Sequence, residues 1–357
     1  MAGVRAGLVG VGPVGDAIVS VLKEHHFPLS EPLRVMATSC RSEVLCGEEF
    51  LVQETCERAF QGLDVVFFAG REGAKGASVQ WAECAMAAGA WCIDNGSDFR
   101  LDPKVPLVVP EVNLDAVTGE SKLIASPNCS TIQMVVALAP LHRVACVKRV
   151  VVSTYQAVSG WGKAAMDELL AQLPQYLAGG PVEFDPSIFT RPIALDCLPH
   201  IDRFTESGYT KEELKMVNET RKILSEPDLQ ITTTAVRVPV MVGHAESVNV
   251  QFERPLSAEE ARAILAEAPG VVVIDGPTQD PNALEIRKAE GELQYPTPAD
   301  VLRPEYRDAT LVGRIREDST APNTLNLWVV ADNLRKGAAT NVVQIAEELI
   351  ARGLLPA

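Results

Sequence analysis

Val4 to Lys23 reads VRAGLVGVGPVGDAIVSVLK and holds three signals in succession. Val4 to Val9 is apolar and short, as a buried strand is. Gly10-Val11-Gly12-Pro13-Val14-Gly15 is a tight turn. From Asp16 to Lys23 the apolar residues Ile18, Val19, Val21 and Leu22 recur with the period of a helix. Strand, glycine turn and helix in that order are what a dinucleotide phosphate loop requires. Gly10, Gly12 and Gly15 let backbone approach a pyrophosphate, and the helix mouth offers unpaired N–H groups. GxGxxG alone also fits a strand–helix turn with no ligand; its place between strand and helix favours the nucleotide.

A second strand, Leu33 to Ala37, runs into Thr38-Ser39-Cys40-Arg41-Ser42. An NAD site usually carries an acid here for the ribose 2′-hydroxyl. Hydroxyls and Arg41 in its place favour the 2′-phosphate of NADP, although a solvated surface arginine reads the same. Leu63 to Ala69 is a continuous apolar strand, Ala77 to Ala88 a helix and Ala90 to Asp94 another strand. This alternation predicts an α/β chain with a doubly wound parallel sheet. The polar loop Asn95 to Arg100 follows a strand's carboxyl end, where such sheets bind ligands. Arg100 there could grip an anion, or pair with Asp98 or Asp102.

Ser126-Pro127-Asn128-Cys129-Ser130-Thr131 then leads into the apolar run Ile132 to Leu141. Cys129 falls at or just before a helix N-terminus. Orphan N–H groups and the positive end of the dipole favour a thiolate there and could hold an oxyanion. From this segment alone a buried structural cysteine is the competing reading. Arg149 to Tyr155 is a β-branched strand ending in Gln156-Ala157-Val158-Ser159-Gly160, a loop small enough to approach a ligand. Thr210 to Glu213 (TKEE) is a capping box opening a helix to about Leu224, so Glu213 is used by the cap. Glu212 and Lys215 share a face of that helix, as any solvated ion pair does. Thr232 to Val240 reads as a strand holding Arg237, with Gly243 and His244 beyond it. One regular strand would put Arg237 and His244 on opposite faces; Pro239 and Gly243 can break the pleat and bring both to one cleft. Asp275 to Pro304 reads as a long surface loop. Thr324 to Val330 is a last strand, followed by Asp332 to Gly337 and a final helix from about Ala338 to Arg352.

At 357 residues the chain has room for two domains. A net charge of −15 argues against nucleic acid or an anionic membrane as partner, without excluding a basic pocket for a small anion. Eight cysteines are scattered with no CxxC pair, which implies reduced thiols in a cytoplasmic protein and no metal site. No apolar run is long enough to cross a bilayer, and Met1 to Gly10 lacks a signal-peptide layout.

Seven segments, in order, resemble aspartate-semialdehyde dehydrogenases. They are Asp94 to Arg100 (DxxxxFR), Val105 to Asn113 (VPLVVPEVN), Ser126 to Leu138 (SPNCSTIQMVVAL) and Val150 to Gly160 (VVVSTYQAVSG). Glu212 to Leu224 (EELKMVNETRKIL), Arg237 to Val248 (RVPVMVGHAESV) and Asp332 to Ala339 (DNLRKGAA) complete the set. The resemblance implies NADP-dependent reductive dephosphorylation of L-aspartyl 4-phosphate to L-aspartate 4-semialdehyde, in lysine, threonine, methionine and isoleucine biosynthesis. It makes Cys129 the nucleophile that forms an acyl-thioester, Gln156 the residue that orients it and His244 the general acid/base. Arg237 would bind the substrate α-carboxylate and Glu212 the α-amino group. Arg100, Lys215 and Asn128 would form the phosphate pocket. Gly10, Val11, Gly12, Pro13, Thr38, Arg41, Ser159, Gly160 and Asn333 would line the NADP site. It also implies a homodimer, with a Rossmann-type domain over 1–130 completed by 333–357 and an α+β substrate and dimerisation domain over 131–332.

The chain departs from the family's usual pattern in places. Its first turn is one residue shorter than GxxGxxG and contains Pro13, which has no N–H for phosphate. Phe68 to Gly76 reads FAGREGAKG where SAGG plus a serine is common, Asp196 stands for a usual Asn, and Gly276 to Pro296 is longer. An N-acetyl-glutamyl-phosphate or acyl-CoA reductase, or a catalytically silent paralogue, are the alternatives these leave.

Overall fold

The computed structural model describes residues 3–70, 76–119, 121–276 and 294–356. The chain divides into two units, Met1–Asn128 with Gly337–Ala357, and Cys129–Lys336.

The first unit is built on a seven-stranded sheet. Its strands are β1 (Ala6–Val9), β2 (Arg34–Ala37), β3 (Arg41–Leu45), β4 (Glu48–Glu54), β5 (Val65–Phe68), β6 (Trp91–Asp94) and β7 (Leu123–Ala125), in the order β3-β4-β2-β1-β5-β6-β7. All pairs are parallel except β3–β4. Every residue of β1, β5 and β6 is buried. Strands apolar at each position suit a parallel sheet covered on both faces. The helices are α1 (Pro13–Glu24), α2 (Ala77–Ala87), the short α3 (Pro110–Asn113) and the C-terminal helix Thr340–Ala351. Asn341 on that last helix donates from Nδ2 to Val108 O (3.0 Å) and Ser126 Oγ (2.9 Å), which fixes the segment leading to Asn128. The β3–β4 hairpin follows β2 in a segment where the sequence reading placed no strand. Its exposed positions mix Arg41, Glu48 and Glu49 with the apolar Val44 and Leu51, so no clean apolar alternation marks it. Its two-residue turn places Cys46 (φ 48°) and Gly47 (φ 74°) in the left-handed region, as tight hairpins require.

The second unit carries a six-stranded mixed sheet. Its strands are β8 (Val147–Gln156), β9 (Gln230–Arg237), β10 (His244–Phe252), β11 (Val271–Val273), β12 (Thr310–Glu317) and β13 (Thr324–Ala331), ordered β11-β12-β13-β10-β8-β9. Helix α4 (Cys129–Ala145) packs against β8, β10, β12 and β13; α5 (Lys163–Leu177), α6 (Lys211–Leu224) and α7 (Ala258–Ala266) complete the unit. On β10 the even residues His244, Glu246, Val248, Val250 and Phe252 are buried, while Ser247 is exposed on the opposite face. The strand expected over Thr232 to Val240 ends at Arg237. Val238 to Gly243 instead crosses the end of β8. The Val238 N–H bonds Gln156 O (3.0 Å), and the Val158 and Ser159 N–H groups bond Val240 O (2.8 Å) and Met241 O (3.2 Å). Gly243 closes this crossing at φ +95°, where a Cβ would meet Pro298 backbone at 3.0 Å. Between the expected loop ends Asp275 and Pro304, residues 277–293 lie outside the described residues, as do 71–75 of the Phe68 to Gly76 segment. Strand β12, which starts soon after that loop, had no apolar alternation to announce it: Arg314, Arg316 and Glu317 are exposed. Among the described residues no helix is long and apolar enough to cross a membrane.

Candidate active site

Three strand ends meet at one edge of the second sheet. Gln156 is the last residue of β8, Arg237 the last of β9 and His244 the first of the antiparallel β10. Parallel pairing sets Gln156 directly beside Arg237. Cys129 is the first residue of α4, half-buried, so its peptide belongs to the turn whose N–H groups lack intrahelical partners. Glu212 and Glu213 stand in the first turn of α6. The capping box forms as read: Thr210 Oγ1 accepts from Glu213 N–H (3.3 Å) and Glu213 Oε2 from Thr210 N–H (2.7 Å). That leaves Glu212 for other partners.

The polar side chains form one buried network. The Gln156 amide donates from Nε2 to Ser130 Oγ (2.7 Å) and Glu212 Oε1 (3.2 Å). Lys215 Nζ reaches Glu212 Oε2 and Asp202 Oδ2, both at 3.3 Å. Ala157 grips two charged-site residues through its own backbone. Its carbonyl accepts from Arg237 Nη1 (2.7 Å) and its N–H donates to His244 Nδ1 (3.0 Å). Asn333 accepts from Gly243 N–H (2.9 Å) and brackets Ser159 Oγ, with Nδ2 at 2.9 Å, so the turn before His244 is tied to the exit of β8. Gly160 lies against both side chains. A Cβ built there would lie 3.2 Å from Arg237 Nη1 and 3.3 Å from His244 Nε2.

Burial shapes the electrostatics. It lowers the Arg237 pKa, opposed by the charges of Glu212 and Cys129. It pushes His244 down to about 3, helped by Arg237 and opposed by Glu212, so the imidazole is neutral. Beneath this layer, Glu246 on β10 and Gln133 on α4 are fully buried. Gln133 is the polar neighbour of Glu246, but among the described residues no carboxyl oxygen or side-chain amide atom of the two is in hydrogen-bonding geometry with a partner. Burial pushes the Glu246 carboxyl well above its usual range.

Within the second unit the structure thus gathers Cys129, Gln156, Ser159, Gly160, Glu212, Lys215, Arg237, His244 and Asn333. The network also uses Ser130, Ala157 and Asp202, none of which the sequence reading singled out. Ser130 is one residue from Cys129 and Ala157 acts through its backbone, which no motif reports. Asp202 sits in an irregular loop at φ 66°.

The other site residues lie in the first unit. Arg100 is buried and donates from Nη2 to Asn95 O (2.9 Å); Asn128 is buried at the end of the loop fixed by Asn341. The glycine turn fits a dinucleotide phosphate. Gly10 takes φ +119° against Ala69, while over Gly12 nothing lies within 4 Å of a built Cβ. Gly12 is the N-cap of α1 with no side-chain cap bond, and Pro13 opens the helix. That is where proline forfeits no helical bond, so the N–H groups around it stay available. Thr38 is exposed, immediately after the end of β2. Arg41 lies on β3, exposed, where it bonds Glu43 Oε2 (2.9 Å) and Ser39 Oγ (3.3 Å).

Comparison with known proteins gives consistent matches. Residues 5–119 match the family model for the semialdehyde dehydrogenase NAD binding domain, and residues 138–336 that for the semialdehyde dehydrogenase dimerisation domain. Aspartate-semialdehyde dehydrogenase of Aquifex aeolicus is 45% identical over 99% of this chain and 100% of its own. That of Legionella pneumophila is 43% identical over 95% and 93%. The crystal structure of aspartate semialdehyde dehydrogenase II from Vibrio cholerae, known also complexed with ASA, superposes with a TM-score of 0.87 at 40% identity, covering 98% of this chain and 99% of that one.

Proposed function

The chain belongs to the semialdehyde dehydrogenase family, as an oxidoreductase of the aspartate-semialdehyde type, and we propose that it works through an acyl-thioester on Cys129. The substrate is L-aspartyl 4-phosphate, reduced to L-aspartate 4-semialdehyde, or the reverse. The observation that carries this reading is a cation and an anion set side by side: Arg237 and Glu212 interact electrostatically and share the Cys129 end of one buried network. An amino-acid head group asks for that pair. Arg237 takes its α-carboxylate with the N–H groups not held by Ala157, and Glu212 takes its α-amino group. Holding the remote charges positions the acyl carbon for attack, which is where binding energy lowers the barrier. Gln156, anchored on Ser130 and Glu212, orients the acyl group. Lys215, Arg100 and Asn128 receive the departing phosphate.

The cofactor would supply the hydride as NADPH and accept it as NADP in the reverse direction. Gly10, Val11, Gly12 and Pro13 would hold its pyrophosphate, Thr38 and Arg41 its 2′-phosphate, and Ser159, Gly160 and Asn333 its remaining contacts. The preference for NADP rests on the absence of an acid after β2 and on Arg41, whose exposed pair with Glu43 is weak enough to exchange for a phosphate. A second copy of the chain docks on the open face of the second sheet, where the tilted rings of Tyr155 and Trp328 pack at 5.3 Å and Tyr155 stays partly exposed. A monomeric mass by light scattering at micromolar concentration would exclude that. The eight thiols, unpaired by disulfides, suit the cytoplasm.

The test is phosphate-dependent reduction of NADP by aspartate semialdehyde. Cys129→Ala is expected to abolish it while leaving cofactor binding intact. Activity surviving in that variant ends the thioester reading. Turnover of an acetyl-glutamyl substrate at the rate of the aspartyl one would end the assignment of the head group.

A further inference from the structure

We propose that Glu246 and Gln133 form a neutral acid–amide clasp that sets the register of α4 on the second sheet, and with it the place of the Cys129 sulfur. Both act through Cys129, as positioning residues. This rests on the reading of Cys129 as the nucleophile and goes beyond it, because it gives work to a buried acid that the reaction itself does not use.

Gln133 is the fifth residue of α4, four after Cys129, so the two side chains lie one above the other on one helix face. Glu246 lies on the interior strand β10, between Thr154 of β8 and Val329 of β13, on the sheet face where it meets Gln133. Both residues are 0% exposed. Gln133 Oε1 and Nε2 and both Glu246 carboxyl oxygens have no partner in bonding geometry among the described residues. Buried polar groups left that way are strongly unfavourable. A protonated carboxyl and a carboxamide satisfy each other. The carboxyl O–H donates to Gln133 Oε1, and Gln133 Nε2 donates to the other carboxyl oxygen. The terminal torsions of both side chains are soft, so a small rotation completes the pair.

The surroundings suit the acid and not the carboxylate. Besides burial, Gln133 is the group that acts on Glu246; among the described residues no arginine or lysine charge does. His244, two residues back on the same face of β10, is neutral. Thr154 and Val329, its neighbours in register, carry no charge. Cys129, one turn above Gln133, is the group whose negative charge the helix mouth favours. An anion beneath it would oppose the thiolate.

The helix needs such a clasp. Every residue of α4 from Ser130 to Ala139 is buried. Apolar packing is non-directional, so Ile132, Met134, Val135 and Leu138 hold α4 on the sheet without fixing it along its own axis. A helix rises about 1.5 Å per residue, and a misplacement of about 1 Å at a reacting centre costs about 100-fold. A slip of less than one residue is therefore enough to spoil the attack. Two polar ties remove that freedom. Ser130 Oγ accepts from Gln156 Nε2 at 2.7 Å and ties the first turn of α4 to β8. Gln133 and Glu246 tie the next turn to β10. A polar pair inside an apolar contact fixes register while adding little stability.

The proton is read by infrared difference spectra of wild type against Glu246→Gln at pH 8. The expected lost signal is the carbonyl stretch of a protonated carboxyl group, moved by ¹³C-glutamate labelling; a carboxylate band in its place overturns the proposal. Alkylation of Cys129 by iodoacetamide, followed on its peptide by mass spectrometry, should have the same pH midpoint in both proteins. A lower midpoint in Glu246→Gln would show that a negative charge had been removed, and also overturns it. Kinetics separate positioning from plain stability. Glu246→Leu leaves Gln133 unpaired and should lower both the urea midpoint and kcat, the latter about 10- to 100-fold, with KM for aspartate semialdehyde changed less than about threefold. In Glu246→Leu with Gln133→Leu no polar group is left unpaired, so the urea midpoint should return while kcat stays at least about tenfold down. Glu246→Gln pairs amide to amide and should regain at least about tenfold of the kcat lost in Glu246→Leu. Wild-type kcat in Glu246→Leu, kcat returning with stability in the double variant, or Glu246→Gln as slow as Glu246→Leu each overturn it. Activity surviving in Cys129→Ala is a separate result: the thioester reading would fail while the infrared measurement stood.

Discussion

Gly160→Ala tests how tightly the candidate site is set. The added Cβ would lie 3.2 Å from Arg237 Nη1, 3.3 Å from His244 Nε2 and 3.4 Å from His244 Cε1. Comfortable contacts are about 3.5–4.0 Å, so the neighbours must retreat by roughly 0.3–0.5 Å. Neither is free to do so cheaply, because Ala157 holds Arg237 at 2.7 Å and His244 at 3.0 Å. Overpacking of this kind costs about 1–3 kcal/mol. Backbone strain adds nothing, since Gly160 is not among the glycines with positive φ. A misplacement of 1 Å at a reacting centre costs about 100-fold, so a shift of a third to a half of that, plus a methyl in the substrate's ground, puts the expected fall in kcat/KM at about 10- to 100-fold. The melting temperature should drop by only a few degrees. The assay is steady-state oxidation of aspartate semialdehyde beside NADP titration and thermal melts, with Gly180→Ala, which meets nothing within 4 Å, as control. Unchanged kcat/KM in a folded Gly160→Ala protein would refute the claim that Arg237 and His244 are both held over this residue.

Three further outcomes are expected. His244 is a base whose folded pKa, about 3, lies below its ordinary 6.5. Its contribution to stability is whole above pH 6.5 and is lost as pH falls towards 3, by about 2–3 kcal/mol at pH 4.5. Denaturant midpoints at pH 7.5 and 4.5 should therefore differ less in His244→Gln than in the wild type, and an equal difference would count against a buried neutral imidazole. Thr210→Ala removes the cap on α6 and should cost about 1 kcal/mol in urea unfolding, with a severalfold rise in KM because Glu212 stands in that first turn. Arg41→Ala should cut the preference for NADP over NAD about tenfold in paired cofactor assays; an unchanged ratio would remove Arg41 from the 2′-phosphate site.

Much of the architecture was legible because it is local. β1, the glycine turn and α1 follow from the change of period between Val4 and Lys23. The start of α6 follows from TKEE, and its cap forms as read. Strands buried on both faces, such as β5, announce themselves as continuous apolar runs. The β3–β4 hairpin and β12 did not: apolar Val44 and Leu51 face solvent beside charged residues in the hairpin, and Arg314, Arg316 and Glu317 are exposed on β12, so no clean alternation appears. The Arg237 and His244 question shows the boundary well. Odd spacing forbade one cleft for a single strand, and Pro239 and Gly243 marked where the strand could break. That the break sends the chain across the end of β8, so that β9 and β10 flank it, depends on pairing between residues some eighty positions apart.

The sequence by itself determined the residue types and the order of elements: a glycine turn between strand and helix, a cysteine at a helix mouth, an arginine and a histidine near a strand end. Periodicity and capping act within a few residues, so the chain states them directly. Only the tertiary structure decided which atoms of those residues are available. Ala157 has only a methyl side chain to advertise a role, yet its peptide groups hold both Arg237 and His244. Hydrogen bonds to backbone depend on where strands end in space, and burial sets which charges persist; neither quantity exists until the sheet has formed.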